Sequence, residues 1–360
     1  MLVGVVPNAP DFAHPADRRR YVPFFRARGI RYEEADVGKP YDAVYISIAA
    51  DLGLWAGYRE AQRAQGRAPT VIFDLSDDLL SDRPGRDLLR GAYYALTRRN
   101  SRFDLSYKRA VVRMVEHSDF VLCGSDEQKA ALDRLHPNVV VMRDFFGDDL
   151  TVRKTSWALR RDGELHVLWE GLSHGNLEIF RMLRRVLDTV TGLRVHAHVV
   201  TDPRYCHVGS RLWCEPTWAV LERTFRGSAV RVHHYSWTAQ TFSAIAASCD
   251  IGVIPVPPNP VMQRKPENKL LLLWQVGLPT VATATRSYAR VMRAIGEECV
   301  AATLPDWGRL IGHLAADEAR RARYVAAASR YLESQCSAPA ILQAWDRILP
   351  LSPQDGEATR

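Results

Sequence analysis

Two groups of side chains are spaced for chemistry. The first is basic and lies in the string QRKPENKLLLLWQV, where Arg264 and Lys265 precede Asn268 and Lys269 at the start of an apolar helical run. A helix start presents unpaired N–H groups and the positive end of the helix dipole, so cations added there suit an anion such as a diphosphate. The second group is acidic: Asp74, Asp77 and Asp78 in FDLSDD close an apolar run that reads as a strand. Carboxylates at a strand end can orient a hydroxyl or take its proton. They can equally supply the N-cap of the element that follows, and the two roles are compatible because a cap needs only one of the three.

Other polar residues carry weaker signals. His174, in a loop after VLWEGLS, could donate to a phosphate or sugar oxygen or be merely solvated. His117 reads as a helix-end residue favoured by the dipole. Asn8 to His14, with Arg18 and Arg20 of the Arg18–Arg20 run, form a second place to meet an anionic acceptor, although charge runs are usually a solvated helix face. His196 with His198, and His233 with His234, lie on strand-like runs without a carboxylate or thiol spaced to complete a metal set, so no metal is expected. The six cysteines show no CxxC spacing, and the closest pair, Cys206 and Cys214, is separated by seven residues. Neither a zinc site nor a disulfide is expected from them.

These residues need a scaffold. A chain of 360 residues implies two domains at roughly 100–200 residues each. Its 47% hydrophobic and 25% charged content is that of a globular protein able to bury a sizeable core. The net charge of +7 favours anionic partners: phosphates, a phospholipid surface or nucleic acid. There is no signal-like start and no apolar run of about 18 residues, so a cytoplasmic protein is expected. Strand-like runs at 1–7, 41–48, 70–74, 120–123 and 139–142 alternate with helical ones at 18–29, 55–65, 103–118 and 126–135. After a polar segment over 147–163 the rhythm restarts, with strands at 165–170, 194–200, 229–234, 251–256 and 280–282 and helices at 177–190, 238–247 and 268–276. Two doubly wound α/β domains follow, 1–155 and 156–335. Amphipathic runs at 317–334 and 338–348 come last; the second lies in a helical segment, 336–351, expected to pack back on the first domain, before a disordered tail at 352–360.

The run from Cys249 to Tyr288 resembles the nucleotide-sugar-binding region of retaining glycosyltransferases of GT-B fold, the group 1 or family 4-like enzymes. A buried strand ends in Pro255, a Lys (Lys269) sits just inside a helix, and Gly277-Leu278-Pro279-Thr280-Val281-Ala282 matches the family's G-[LK]-P-V-[VI]-A turn. Ser118 to Ser125 is similar to the family's aDxVixxS strand, and Asn138 to Asp148 to its linker approach. Trp169-Glu170-Gly171, with Ser173, His174 and Asn176, resembles the first strand and loop of its second domain. The resemblance implies a donor site from Gly171, Ser173, His174, Arg264, Lys265, Glu267, Asn268 and Lys269, with the acidic cluster facing the sugar and the acceptor. Arg264 and Leu272 stand where many members carry glutamates, which leaves Glu267 as the substitute for holding the donor ribose.

What the resemblance implies is transfer of a sugar, with retention and without metal or other cofactor, from a nucleoside diphosphate donor to a hydroxyl across a cleft between the domains. A UDP-sugar is the first expectation and a GDP-sugar the second. The acceptor could be a glycan, a lipid-linked sugar, a natural product or nucleic acid, with peripheral membrane contact open. Three other readings stay open: a nucleotide-sugar 2-epimerase of the same fold, a catalytically silent nucleotide-sugar binder, and a nucleic-acid-modifying transferase.

Overall fold

A computed structural model describes residues 1–12, 14–81, 84–96, 101, 104, 106–147, 150–173, 177–207, 213–257 and 265–350. The chain forms two compact units. The first holds residues 1–145, Lys265 and Pro266, and the chain from Cys336 on; the second holds Phe146 onward and Glu267–Gln335. The polar segment expected to divide the domains belongs to the second unit: Lys154 N donates to Val276 O (2.7 Å), Trp157 Nε1 to Gly277 O (2.9 Å) and Arg160 N to Asp250 Oδ1 (3.0 Å).

The first unit runs β1 (Leu2–Val6), α1 (Pro15–Arg20), α2 (Val22–Ala27), β2 (Arg31–Glu34), β3 (Ala43–Ser47), α3 (Leu52–Trp55), α4 (Tyr58–Ala64), β4 (Thr70–Leu75), α5 (Pro84–Leu96), α6 (Tyr107–Glu116), β5 (Phe120–Cys123), α7 (Asp126–Leu132) and β6 (Val139–Val141). Its six strands pair in parallel in the order β2-β1-β3-β4-β5-β6, so the switch point lies beside β1 and β3. Both faces are covered. Val44, Ile46, Val71 and Phe73 pack with α3 and α6, while the alternating Ala43, Tyr45 and Ile72 pack with α2. The single helix expected over 18–29 is instead two. Pro23 lacks an N–H and clashes with the carbonyl four residues back, so the helix breaks at Tyr21. The freed Arg19 carbonyl accepts from Phe145 N (2.7 Å) and the Arg20 carbonyl from Trp345 Nε1 (3.0 Å).

The second unit runs β7 (Glu164–Glu170), α8 (Leu177–Leu187), β8 (Arg194–Thr201), β9 (Arg204–Cys206), β10 (Cys214–Pro216), α9 (Thr217–Phe225), β11 (Arg231–Ser236), α10 (Ala239–Ser248), β12 (Ile251–Ile254), α11 (Asn268–Val276), β13 (Thr280–Thr283), α12 (Arg286–Ala294), β14 (Val300–Ala301), α13 (Leu304–Ala316) and α14 (Glu318–Gln335). Six of its strands form a parallel sheet, β11-β8-β7-β12-β13-β14, whose order reverses between β7 and β12. β9 and β10 make a separate antiparallel hairpin. A disulfide joins Cys206 to Cys214 across it, which corrects the expectation that the cysteines are all free thiols. Antiparallel pairing brings the two Cα atoms to 4.1 Å, and the spacing by itself carried no sign of that pairing. The last helix, α15 (Ala338–Asp346), belongs to the first unit, where Trp345 stacks on Phe24 at 5.1 Å and Arg28 forks onto Asp346 at 2.9 and 2.5 Å. The tail expected to be disordered, 352–360, lies outside the described residues.

One face of the second sheet carries a chain of histidines across β7, β8 and β11. His166 Nδ1 meets His198 Nε2 at 2.9 Å, His198 Nδ1 meets the Tyr235 hydroxyl at 3.1 Å, and His196 Nδ1 meets His233 Nε2 at 3.1 Å. Glu164 Oε2 lies 3.6 Å from His166 Nε2 and 3.9 Å from His196 Nε2. Among the described residues no group of three or more His, Cys, Asp or Glu is arranged to hold a metal ion, and no helix is long and apolar enough to cross a membrane.

Candidate active site

In an open parallel sheet the ligand crevice lies outside the carboxyl ends of the strands at the switch point. In the second unit that place is the end of β7 and the start of α11. β7 is buried along nearly its whole length and delivers Glu170 and Gly171 to the edge. Lys269, in the first turn of α11, extends its ammonium to Glu170 O at 3.0 Å and lies 5.3 Å from the centroid of the Trp169 ring. Gly171 makes room for it. A Cβ there would fall 2.2 Å from Lys269 Nζ, and its φ of +155° favours glycine as well. Thr201 Oγ1 donates to Gly171 O at 2.5 Å, which fixes the peptide that the lysine leans over.

Ser173 is buried, and its hydroxyl lies 3.2 Å from both Asp202 Oδ2 and Arg204 O, while its N–H donates to Asp202 Oδ2 at 2.8 Å. It therefore shapes the loop through Asp202 and Arg204. Glu267 occupies the N-cap position of α11 without capping it through its side chain. Its carboxylate is wholly buried and accepts from Arg290 Nη2 of α12 at 3.0 Å. The sequence offered no route to Arg290, because 23 residues separate the partners. Glu267, expected to hold the donor ribose, therefore stands buried at the helix start with Arg290 as an ion-pair partner. Asn268 follows as a half-buried residue whose Oδ1 is enclosed without a hydrogen-bond partner among the described residues. The helix ends at Gly277, with φ +87° and its N–H on Trp274 O, as the Gly-Leu-Pro turn requires. His174 and Arg264, both expected at the donor, lie outside the described residues.

In the first unit the expected residues separate into buried and accessible ones. Asp74 lies on the α15 face of β4, only 1% exposed, with Arg20 Nε at 2.9 Å and the Tyr45 hydroxyl bonded to its Oδ2. Arg20 also reaches Asp144 (3.5 Å) and Cys123 O (3.4 Å). Burial works against the Arg20 charge, but Asp74 and Asp144 outweigh it and hold its pKa above the usual value. Burial pushes Asp74 and Asp144 upward even against the guanidinium. Arg20, expected to meet an acceptor, and Asp74, expected to face a hydroxyl, thus form an ion pair with each other in the interior of the first unit. Asp78 is buried as well, at 2%.

Asp77 alone of the cluster is open, with its side chain 44% exposed and Lys265 Nζ 3.8 Å away. Lys265, expected on the diphosphate, thus sits with the first unit. His14 caps α1 by accepting from Ala16 N at 3.2 Å. Burial depresses its pKa, with Asp17 and Asp77 among the charges it feels. Asn8 at the end of β1 is tied down by Asp17, whose carboxylate accepts from Asn8 Nδ2 at 2.8 Å and from the Asn8 and Ala9 amides. Arg18 is half-buried on α1. Asp17 and His14 complete this strand-end group, and of the two only Asp17 was singled out by no signal in the sequence.

No known family's sequence profile matches the chain, and no curated protein is similar to it in sequence. Its structure is similar to many solved ones. WaaG, a glycosyltransferase involved in lipopolysaccharide biosynthesis, superposes with a TM-score of 0.56 at 14% identity, over 98% of this chain and all of that one. The lipopolysaccharide outer core galactosyltransferase WaaB gives 0.54 at 13% identity, over 97% and 99%. TarM gives 0.54 at 10% identity, over 86% of this chain, which spans 56% of TarM. The chain has the GT-B fold.

Each unit has its own six-stranded parallel sheet, and α15, which follows the second unit in the chain, belongs to the first. The Gly171 and Lys269 pairing at the end of β7 joins the two stretches that carried the resemblance, although 99 residues separate Glu170 from the lysine that contacts it.

Proposed function

We propose that the chain is a glycosyltransferase that moves a sugar from a nucleoside diphosphate donor, a UDP-sugar first and a GDP-sugar second, to an acceptor hydroxyl with retention. One observation carries the reading: the Lys269 ammonium is held over Gly171 at the switch point, beside the amides that open α11. A lysine and a helix N-terminus converging on one strand end suit a diphosphate, whose charge grows as the sugar departs. The bond from the anomeric carbon to the β-phosphate oxygen breaks with its electron pair staying on the diphosphate. A bond from the same carbon to the acceptor oxygen forms, and the acceptor proton leaves to a base. Asp77 is the exposed carboxylate available for that role, with His14 near enough to feel its charge. In this reading the second unit holds the donor and the first supplies the acceptor groups. A sugar chain, a lipid-linked sugar or a natural product is the acceptor class.

A second reading, a catalytically silent nucleotide-sugar binder, draws on the positions where many family members carry glutamates. Leu272 is buried in the core and Glu267 pairs with Arg290, which supports a site without the usual exposed glutamates. One experiment separates the two readings. The chain is incubated with UDP- and GDP-sugars without acceptor, and free nucleoside diphosphate and sugar are followed by chromatography. Slow hydrolysis of one donor supports the transferase. Tight binding without any turnover favours the silent binder, epimerised donor points to the 2-epimerase, and no binding of either nucleotide sinks the donor site.

A further inference from the structure

A groove lies between α8, α9 and the β9–β10 hairpin, inside the second unit and outside the diphosphate site. It encloses about 700 Å³, the size of a small-ligand site. α8 lines it with Arg181, Arg184 and Arg185, which share one helix face by their spacing of three to four residues, and α9 adds Arg223. The carboxylates in the groove, Asp188 and Glu215, are already neutralised. Asp188 accepts from Arg184 Nε at 3.3 Å and from the Ser228 hydroxyl. Glu215 accepts from Arg223 Nη2 at 2.5 Å and lies 3.1 Å from His207 Nε2. Arg184 is further fixed by Thr224 O at 2.9 Å. The side chains of Arg181 and Arg185, by contrast, are exposed and form no ion pair or hydrogen bond among the described residues.

The hairpin supplies an aromatic rim. His207 stacks on Trp213 at 4.6 Å, Trp213 is 68% exposed, and the Cys206–Cys214 disulfide holds the strands that carry both ends of this contact. Exposed guanidinium groups donate to carboxylate or phosphate in bidentate fashion, and an exposed aromatic side chain can take the apolar face of a sugar ring. Both features together fit a sugar chain that bears charge.

We propose that this groove binds an anionic glycan, which, on the reading of the chain as a glycosyltransferase, is the extended part of the acceptor. Calorimetric titration of the intact chain with tetragalacturonate, with uncharged maltotetraose, with inorganic phosphate and with UDP tests it. Tetragalacturonate should bind, maltotetraose should not, and phosphate should bind far more weakly. The exposed double variant Arg181→Gln/Arg185→Gln should lose about tenfold to a hundredfold in tetragalacturonate affinity. UDP affinity should stay unchanged in that variant, which also reports that the unit is folded. Trp213→Ala should weaken the glycan and leave phosphate binding as it was. Equal binding of the two tetrasaccharides, an unchanged affinity in the double variant, phosphate binding as tight as the glycan, or a single-stranded oligonucleotide that outcompetes the glycan would each overturn the proposal. Tetragalacturonate binding with no UDP binding would support the groove and sink the donor reading, so the two can fail separately.

Discussion

At the scale of single residues, Lys269 and Asp77 carry the proposed chemistry, and Asp74 carries stability. Lys269 is half-buried and shielded by Trp169, so the proposed contact with a phosphate oxygen would be little weakened by solvent. Lys269→Ala should cost about 1.5–3 kcal/mol of UDP or GDP binding, a tenfold to hundredfold loss by calorimetry. Lys265→Ala, from an exposed pair 3.8 Å from Asp77, should change nucleotide affinity far less. Asp77→Asn keeps size and hydrogen bonding but removes the charge, so transfer should fall sharply while nucleotide affinity persists. Asp74→Asn leaves Arg20 buried with weakened compensation and should lower stability by about 3–5 kcal/mol in urea unfolding. The opposite outcome, a stable Asp74→Asn protein with lost activity, would return Asp74 to the site. The sequence placed all three aspartates at one strand end but could not separate them. The burial of Asp74 depends on Arg20, 54 positions earlier in the chain, and on the alternation that turns Asp74 and Tyr45 to the same face.

At the scale of elements, the histidine chain makes the second sheet sensitive to acid. In each His–His contact one nitrogen donates and the other accepts, so a proton added to the acceptor sets two donors face to face. Burial first, then the neighbouring histidines, lowers the pKa of His198 to about 3 from 6.5, and burial also lowers His166, His196 and His233. The charges around them are Glu164, Asp250, Arg160, Arg194 and Arg231. Because the folded histidines bind protons less readily than the unfolded ones, the unfolded state gains protons first as pH falls. Stability should be full above pH 6.5 and decline from there toward about 3. Urea midpoints at pH 7.5 and 5 measure this. His198→Leu should start less stable at pH 7.5, since His166 and Tyr235 lose a partner, yet show a shallower decline; an equal slope would remove the histidines as the cause. Buried central strands such as β7 were legible as continuous apolar runs. β2, α5, α12 and α13 were not. β2 is a charged edge strand, and α5 turns Leu88, Leu89, Tyr93 and Leu96 outward, so neither shows the inward stripe that pattern reading needs.

At the scale of the whole molecule, the first unit is discontinuous in sequence. Its aromatic core of Tyr21, Phe24, Phe25 and Tyr45 is closed by Trp345, contributed 300 residues after Tyr45. Trp345→Ala removes the ring and the indole bond to Arg20 O, and should destabilise this unit by about 3–5 kcal/mol. Hydrogen exchange should show the loss in β1 and β3 while β7 and β8 keep their protection; uniform loss would mean that the units unfold together. The restart of the strand rhythm was legible because it is local. The exact place where the chain leaves the first unit was not, since Phe145 is held there by the carbonyl that a proline break exposes. A ribosome makes this order matter. As synthesis proceeds, every strand of the first sheet emerges before any of the second, yet the nascent second unit receives its final helix, ending at Gln335, while the first still waits for α15. The unit that is born first is therefore completed last, and its uncovered aromatic face is what a chaperone would meet on a stalled chain.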